Sequence, residues 1–186
     1  MALAINMLSS NGYKVEEIAD IAKEYGIKVN WINYSKVELQ ADDPSDIARA
    51  GGILAHSALN VPLILEDTGF FIKALKGFPG SYAAQALHTI GPEGILTLMK
   101  GIEDRSAYFK TAVCYVDRGV VQLFEGTSDG SIAEAVHGGR AFGFDPIFMP
   151  DGYDKAFSEL SVEEKNRISH RAMAFRKFAE YFGNGR

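Results

Sequence analysis

The sequence predicts an α/β fold with a mixed β-sheet, and two observations support this. In the first third of the chain, short apolar runs alternate with segments of helical periodicity, in the order strand, helix, strand, helix, strand. That order is typical of proteins in which helices cover a sheet. Further on, residues 107–116 and 120–124 are strand-like runs joined around Asp117, Arg118 and Gly119, which predicts an antiparallel hairpin.

The elements of the first third follow from periodicity and from stop signals. Residues 2–8 predict a buried strand, and the helix after it has apolar positions from Val15 to Tyr25 and ends at Gly26. Residues 27–31 alternate as in a half-buried strand, and residues 61–65 form another apolar strand. Asp43-Pro44 predicts the cap and first turn of a second helix. Its inner face is predicted to hold Ile47, Gly51, Leu54 and Ala58.

The second half predicts one more strand and a long C-terminal helix. The strand is expected near residues 132–136. Ser161 and Glu164 have the spacing of a capping box, which predicts that a helix begins there. The apolar stripe of that helix consists of Ile168, Ala172, Phe175, Ala179 and Phe182.

Composition limits the function classes. The 186 residues are expected to form one domain (1–186). Lys and Arg total 19 against 24 Asp and Glu, and this acidic balance argues against a nucleic-acid-binding protein. The one cysteine, Cys114, lies in an apolar run and is interpreted as a buried strand residue. No membrane span or signal peptide is visible, so we expect a soluble cytoplasmic protein.

Four groups of residues are candidates for chemistry, and the first is SSNGYK at residues 9–14. It lies between the first strand and the first helix, where unpaired backbone N–H groups favour a phosphate. Small side chains allow close approach, and Lys14 adds a charge. The alternative interpretation is a polar connection with an Asn cap and a solvated lysine.

The second group is acidic. Glu66 and Asp67 follow a buried strand, and ligands of open α/β sheets bind beyond such strand ends. With Glu38 from a separate segment, they offer the hard oxygen ligands that magnesium requires. The alternative is that these are ordinary surface carboxylates.

The third and fourth groups are residues 138–146 and residues 165–171. In the first segment, Phe142, Phe144 and Asp145 could frame a purine ring, or the aromatic rings could simply fill the core. In the second, Lys165 and Ser169 share a helix face, whereas the next two residues diverge from it. One pocket can include Lys165, Ser169, His170 and Arg171 if the helix breaks near Ser169 or if the long side chains reach round it.

These segments, in this order, resemble the inosine triphosphate pyrophosphatase family, over nearly the whole chain. The resemblance is carried by SSNGYK (9–14) followed by Glu17, EDTGF (66–70), LKGFPGSY (75–82), FGFDP (142–146) and SHR (169–171). It implies an elongated, two-lobed α/β fold with a central mixed sheet, flanking helices and a cleft between the lobes. It also implies a homodimer, and Mg²⁺-dependent hydrolysis of ITP, dITP and XTP to the monophosphate and pyrophosphate.

The resemblance also implies roles for individual residues. Glu38 and Asp67 would hold magnesium, and Asp67 would activate water. The residues implied to bind substrate are Ser9, Asn11, Lys14, Thr68, Phe142, Gly143, Phe144, Asp145, Lys165, Ser169, His170 and Arg171. For His170, three roles stay open, namely general acid or base, phosphate donor and structural hydrogen-bond partner.

The chain departs from the family pattern at three places. Phe144 stands where the family has Trp or Tyr, Arg49 is the cation nearest to a helix lysine of the family, and residues 83–86 lack a Ser-Ala-Arg pattern. Two alternatives are a septum-inhibitor-like nucleotide pyrophosphatase, whose Ser-x-Ser-Pro-Arg-Arg opening is missing here, and a non-catalytic nucleotide-binding protein. A third is a nucleic-acid-binding module.

Overall fold

A computed structural model describes residues 3–35, 37, 39–138 and 142–184, and its centre is a seven-stranded sheet. The strands are β1 (Leu3–Ser9), β2 (Ile27–Asn33), β3 (Leu63–Ile72), β4 (Pro79–Gly80), β5 (Ser106–Asp117), β6 (Val120–Ile132) and β7 (Phe148–Pro150). The helices are α1 (Gly12–Glu24), α2 (Pro44–Leu59), α3 (Ala83–Thr89), α4 (Gly91–Leu98), α5 (Val162–Ile168) and α6 (His170–Asn184).

The strand order is β2-β1-β3-β5-β6-β7, with the short β4 beside β3. β1 pairs in parallel with β2 and β3, whereas the other pairs are antiparallel. The predicted α/β class, the mixed sheet and the hairpin around residues 117–119 are therefore confirmed. The division into two lobes with a cleft, and the single domain over residues 1–186, stay predictions.

Helix α2 begins as predicted, but its predicted inner face is partly wrong. Asp43 caps the helix through a hydrogen bond from the Ser45 N–H, and Pro44 lies in the first turn. Leu54 and Ala58 are exposed, and the buried side consists of Ile47, Ala48, Gly51, Gly52 and Ala55. A Cβ at Gly52 would lie 3.2 Å from Cys114 Sγ, so small residues let the helix lie close to β5. Helical spacing from Ile47 does not show this close approach.

The predicted strand near residues 132–136 is also wrong. β6 continues from Val120 to Ile132 through polar residues, and β7 then pairs with its end, Ile132 opposite Phe148. At Gly126 and Gly130, the start of α6 and strand β7 lie directly against the backbone of β6, where a larger residue would not fit. An added Cβ would lie 2.1 Å from the His170 carbonyl oxygen at Gly126 and 2.2 Å from that of Met149 at Gly130.

The predicted C-terminal helix is two helices. Ser161 and Glu164 form the predicted capping box, and α5 then ends at Ile168. Ser169 has extended backbone angles, φ −73° and ψ 142°, and α6 begins at the next residue. The break near Ser169 is one of the two arrangements that bring residues 165–171 to one pocket.

The core lies on both faces of the sheet. α1 and α6 pack on one face, α2 packs on the other, and an aromatic cluster around Phe70 and Phe109 fills the far end. Cys114 is fully buried, as predicted, and burial raises the pKa of its thiol to about 11. Among the helices of the described residues, none has the length and hydropathy that crossing a membrane requires.

Candidate functional site

A cavity of about 980 Å³ opens at the carboxyl end of β1. β1 covers β3 only through Leu65, whereas β3 continues to Ile72 and meets β4 at Phe70. From Glu66 to Gly69, the edge of β3 that faces β1 is therefore without a neighbouring strand in the described sheet. Side chains from both faces of β3 reach the cavity at this edge, which is where open α/β sheets bind ligands.

The cavity brings together most of the predicted site residues. Those that line it are Ser9, Asn11, Lys14, Asp67, Thr68, Phe142, Gly143, Phe144, Asp145, His170 and Arg171. Lys165 is one contact behind the wall, because its Nζ lies 2.7 Å from Asp145 Oδ2. Ser169 caps α6 through a bond from the Ala172 N–H, outside the cavity lining. Glu38 lies outside the described residues.

The loop before α1 is held by its own side chains. Ser9 Oγ accepts a hydrogen bond from the Asn11 N–H at 3.0 Å, and Asn11 Oδ1 accepts one from the Tyr13 N–H at 3.1 Å. Asn11 is thus the N-cap of the 13-residue helix α1. Lys14 lies 2.5 Å from Glu66 Oε1, and its side chain is 20 % exposed. The helix N-terminus and the lysine together give this wall a positive character.

A group of buried charges of alternating sign adjoins Lys14 and Glu66. Glu17 accepts hydrogen bonds from Lys165 Nζ at 2.7 Å and from Arg171 Nη1. Lys165 also donates to Asp145, and Nε of Arg171 lies 3.6 Å from Glu66. The Arg171 side chain is 2 % exposed. One carboxylate on α1 therefore orients two cations that come from α5 and α6.

The ionisation of these groups follows from burial and from their partners. Burial alone would raise the pKa of Glu17, but Arg171 and Lys165 lower it below its ordinary value. Burial opposes the charge on Arg171, yet Glu66 and Glu17 raise its pKa further. The pKa of Asp145 is raised, because burial outweighs the attraction of Lys165. Burial also opposes the charge on Lys165, yet Asp145 and Glu17 raise its pKa. Both cations therefore keep their charge.

His170 is buried and uncharged at neutral pH. Burial, and after it the charges of Arg171, Lys165 and Lys14, lower the pKa of His170 well below 6.5. Its Nδ1 lies 2.6 Å from Thr111 Oγ1. A neutral imidazole adds no positive charge to the cavity, which weakens the hypothesis that His170 attracts a phosphate.

The two predicted aromatic residues differ in their surroundings. Phe144 is 3 % exposed and stacks on Phe70 at a centroid distance of 5.1 Å, so it belongs mainly to the core. Phe142 instead lies beside the exposed Tyr13, at 5.9 Å, and the guanidinium of Arg171 lies 5.9 Å from its ring. Phe144 therefore fits the interpretation that a ring fills the core, whereas for Phe142 the contact with a purine ring stays a prediction.

The carboxylates at the strand end are candidate ligands for a cation. The described residues contain no group of three His, Cys, Asp or Glu side chains placed to bind a metal. Glu66 and Asp67 line the cavity and are 5 % and 9 % exposed, and Glu66 is bonded to Lys14. Mg²⁺ needs only one or two protein carboxylates, because it keeps several waters and takes further ligands from substrate phosphates.

Glu17 and Thr111 contact predicted site residues although neither is among the residues predicted to bind substrate or metal. Glu17 belongs to the opening motif named above, without a role assigned to it there; it follows Lys14 by three positions and shares that face of α1. Thr111 gives no signal of its own. Its place depends on the pairing of β3 with β5, which sets Thr68 opposite Thr111.

The fold is α/β, and its cavity brings cations, carboxylates and aromatic rings together at the carboxyl end of β1. The chain belongs to the Ham1 family, whose model matches residues 5–181. It is 46 % identical over 95 % of its length to the dITP/XTP pyrophosphatase of Saccharolobus solfataricus, and 42 % identical over 96 % to that of Thermococcus kodakarensis. The alignments cover 92 % and 97 % of those proteins.

Solved structures of similar proteins have the same fold. The Ham1 protein of Staphylococcus aureus superposes with a TM-score of 0.85 at 27 % identity, over 98 % of this chain and 100 % of that one. A dITP/XTP pyrophosphatase from Mycobacterium abscessus has a TM-score of 0.74 at 27 % identity, over 95 % of this chain and 97 % of that one. The resemblance inferred from the sequence motifs is confirmed.

Proposed function

We propose that this protein hydrolyses the non-standard purine nucleoside triphosphates ITP, dITP and XTP to the monophosphate and pyrophosphate, and so removes them from the nucleotide pool. The observation that carries this proposal is the cavity at the end of β1, in which cations, carboxylates and aromatic rings meet. The names of the relatives support the same chemistry.

The phosphate end of the substrate belongs at the N-terminus of α1. Backbone N–H groups there attract oxyanions, and Ser9 and Asn11 already fix the shape of the loop. Lys14, partly exposed beside Glu66, stabilises the negative charge that develops on the leaving pyrophosphate. Thr68, between Glu66 and Thr111, lines the floor of the same cavity.

Asp67 is the candidate for activating water and for holding magnesium. Its carboxylate lines the cavity on the strand that also contributes Glu66 and Thr68. Glu38 would supply a second carboxylate, as the family resemblance implies. Bound there with the triphosphate, Mg²⁺ would supply charge neutralisation at the reacting phosphates. The role of Asp67 is to orient a water molecule and accept its proton.

The base end of the substrate belongs between Phe142 and the start of α6. Phe142 offers a ring face, Arg171 offers donors held by Glu17, and Phe144, Gly143 and Asp145 close the pocket. A 6-oxo group pairs with such donors, whereas the 6-amino group of adenine leaves them unpaired. Leaving buried hydrogen-bond donors unpaired lowers affinity far more than losing an apolar contact does. This difference is the source of selectivity against adenine nucleotides.

Assembly and location complete the proposal. We infer a homodimer that acts in the cytoplasm, with one domain per chain built as two lobes around the cavity. The family resemblance supports the dimer. Sedimentation of the purified chain tests it, since a single species of twice 20.3 kDa is expected.

Product identification tests the proposed reaction. ITP, dITP, XTP, ATP and GTP are each incubated with the protein and Mg²⁺, and the products are separated by ion exchange. Cleavage between the α and β phosphates gives monophosphate and pyrophosphate from the first three. Release of inorganic phosphate and a diphosphate would reject the proposed chemistry.

A further inference from the structure

Two threonine hydroxyls connect Glu66 to the ring of His170. Thr68 Oγ1 donates to Glu66 Oε2 at 2.9 Å and lies 2.6 Å from Thr111 Oγ1. Thr111 Oγ1 in turn lies 2.6 Å from Nδ1 of His170, and Thr111 is fully buried. The hydroxyls therefore form one continuous relay from a carboxylate to an imidazole.

The direction of every hydrogen bond in this relay follows from counting protons. A carboxylate can only accept, so the single proton of the Thr68 hydroxyl points to Glu66. Thr68 Oγ1 must then accept from Thr111, and Thr111 Oγ1 must accept from Nδ1 of His170. The opposite direction would leave two hydroxyl oxygens 2.6 Å apart with no proton between them.

We propose that Thr111 is a positioning residue that fixes Nδ1 of His170 as the protonated nitrogen, so that Nε2 presents a hydrogen-bond acceptor to the ligand. His170 lines the cavity, and Nε2 has no hydrogen-bond partner among the residues that the structure describes. Phe109 stacks on the imidazole at 4.7 Å with the planes 20° apart, which restrains the ring.

The acceptor specifies one feature of the ligand, and this step rests on the proposed function. Hypoxanthine and xanthine have a proton on N1 and can donate it to Nε2, whereas N1 of adenine is itself an acceptor. Two facing acceptors leave both groups unpaired, and this is unfavourable in a buried site. Thr111 thus contributes to rejection of adenine nucleotides. It does not exclude guanine, which has the same N1 proton.

Nitrogen NMR of the full-length protein tests the relay without any turnover. The protonated and unprotonated nitrogens of a neutral imidazole have well-separated resonances, and His170→Gln identifies the signals of His170 among the four histidines. We expect the proton on Nδ1 in the unaltered protein. A ring protonated at Nε2 instead would overturn the proposal.

Two substitutions separate the hydroxyl from packing. Thr111→Val keeps the shape and removes the hydroxyl, so both tautomers should be populated. The ratio of kcat/KM for ITP to that for ATP should fall about tenfold, through KM rather than kcat. Thr111→Ser keeps the hydroxyl but loses a methyl group, and it should behave as the unaltered protein. A ratio that falls as far with Ser as with Val would show that Thr111 acts through packing, and would overturn the proposal.

Failure of the proposed function gives a different result. A protein that turns over no ITP, but has Nδ1 protonated and loses that preference in Thr111→Val, supports the relay and rejects the pyrophosphatase. A protein that turns over ITP selectively but has Nε2 protonated supports the pyrophosphatase and rejects the relay.

Discussion

Glu17 in α1 accepts a hydrogen bond from Nη1 of Arg171 at the start of α6, although 154 positions separate them in the chain. The same carboxylate accepts a hydrogen bond from Lys165. Helices α1 and α6 are therefore joined at the wall of the cavity by one acidic side chain, and the orientation of two cations depends on it.

Glu17→Gln should lower stability in a pH-dependent way. Because Arg171 and Lys165 hold the pKa of Glu17 below its ordinary value of 4.5, the ion pairs stabilise the fold above that pH. This contribution is lost as the pH falls through the folded-state pKa. We expect a loss of about 2 kcal/mol in the free energy of unfolding at neutral pH, shrinking in acid. Urea unfolding at several pH values measures it.

Glu16→Gln is the matched control, because Glu16 is the exposed neighbour on the same helix. It should leave the free energy of unfolding unchanged. A difference between Glu17→Gln and the unaltered protein that is the same at every pH would contradict the assignment.

Lys14→Met should reduce kcat/KM for ITP about a hundredfold, since one positive donor to the developing charge is removed. Steady-state pyrophosphate release measures this loss. Lys23→Met is the control on the same helix, where Lys23 is exposed and pairs only with Asp20 among the described residues. Equal activities of the two variants would remove Lys14 from the phosphate site.

Asp67→Asn should abolish most turnover and retain nucleotide binding, because the amide cannot accept a proton from water. A loss of about a thousandfold in kcat is expected for a general base. Calorimetric titration with ITP checks binding, and Asp154→Asn, at an exposed site, is the control. Unchanged kcat in Asp67→Asn would exclude Asp67 from the mechanism.

Phe144→Ala should destabilise the fold, since the ring is 3 % exposed and stacks on Phe70. Removing a buried phenyl ring costs about 3–5 kcal/mol, which chemical denaturation can measure. Tyr13→Ala, at a ring that is 68 % exposed, should cost less than about 0.5 kcal/mol. Similar losses in both variants would contradict the core position of Phe144.

Local signals in the sequence predict much of this fold. The caps at Asp43 and Ser161 and the stop at Gly26 were correct because each depends on a few adjacent residues. The predicted inner face of α2 was wrong at Leu54. The helix packs closely against β5 at Gly52, and this contact can be recognised only when the side chains of β5 are seen beside that glycine. The end of β6 was missed for the same reason.

The site divides in a similar way. Lys14 and Asp67 were predicted from their motifs, and both line the cavity. Thr111 could not be predicted, because it reaches His170 only through the register that pairs it with Thr68. The different surroundings of Phe142 and Phe144 likewise could not be predicted, because they depend on which of the two rings stacks on Phe70.

Competition between ITP and ATP measures the proposed selectivity for non-standard purine nucleotides in one experiment. Both nucleotides are added at equal concentration with Mg²⁺, and formation of IMP and AMP is followed in the same vessel, so the ratio of initial rates equals the ratio of kcat/KM values. We expect that IMP accumulates while ATP remains intact. IMP and AMP formed at equal rates, or no IMP at all, would contradict it.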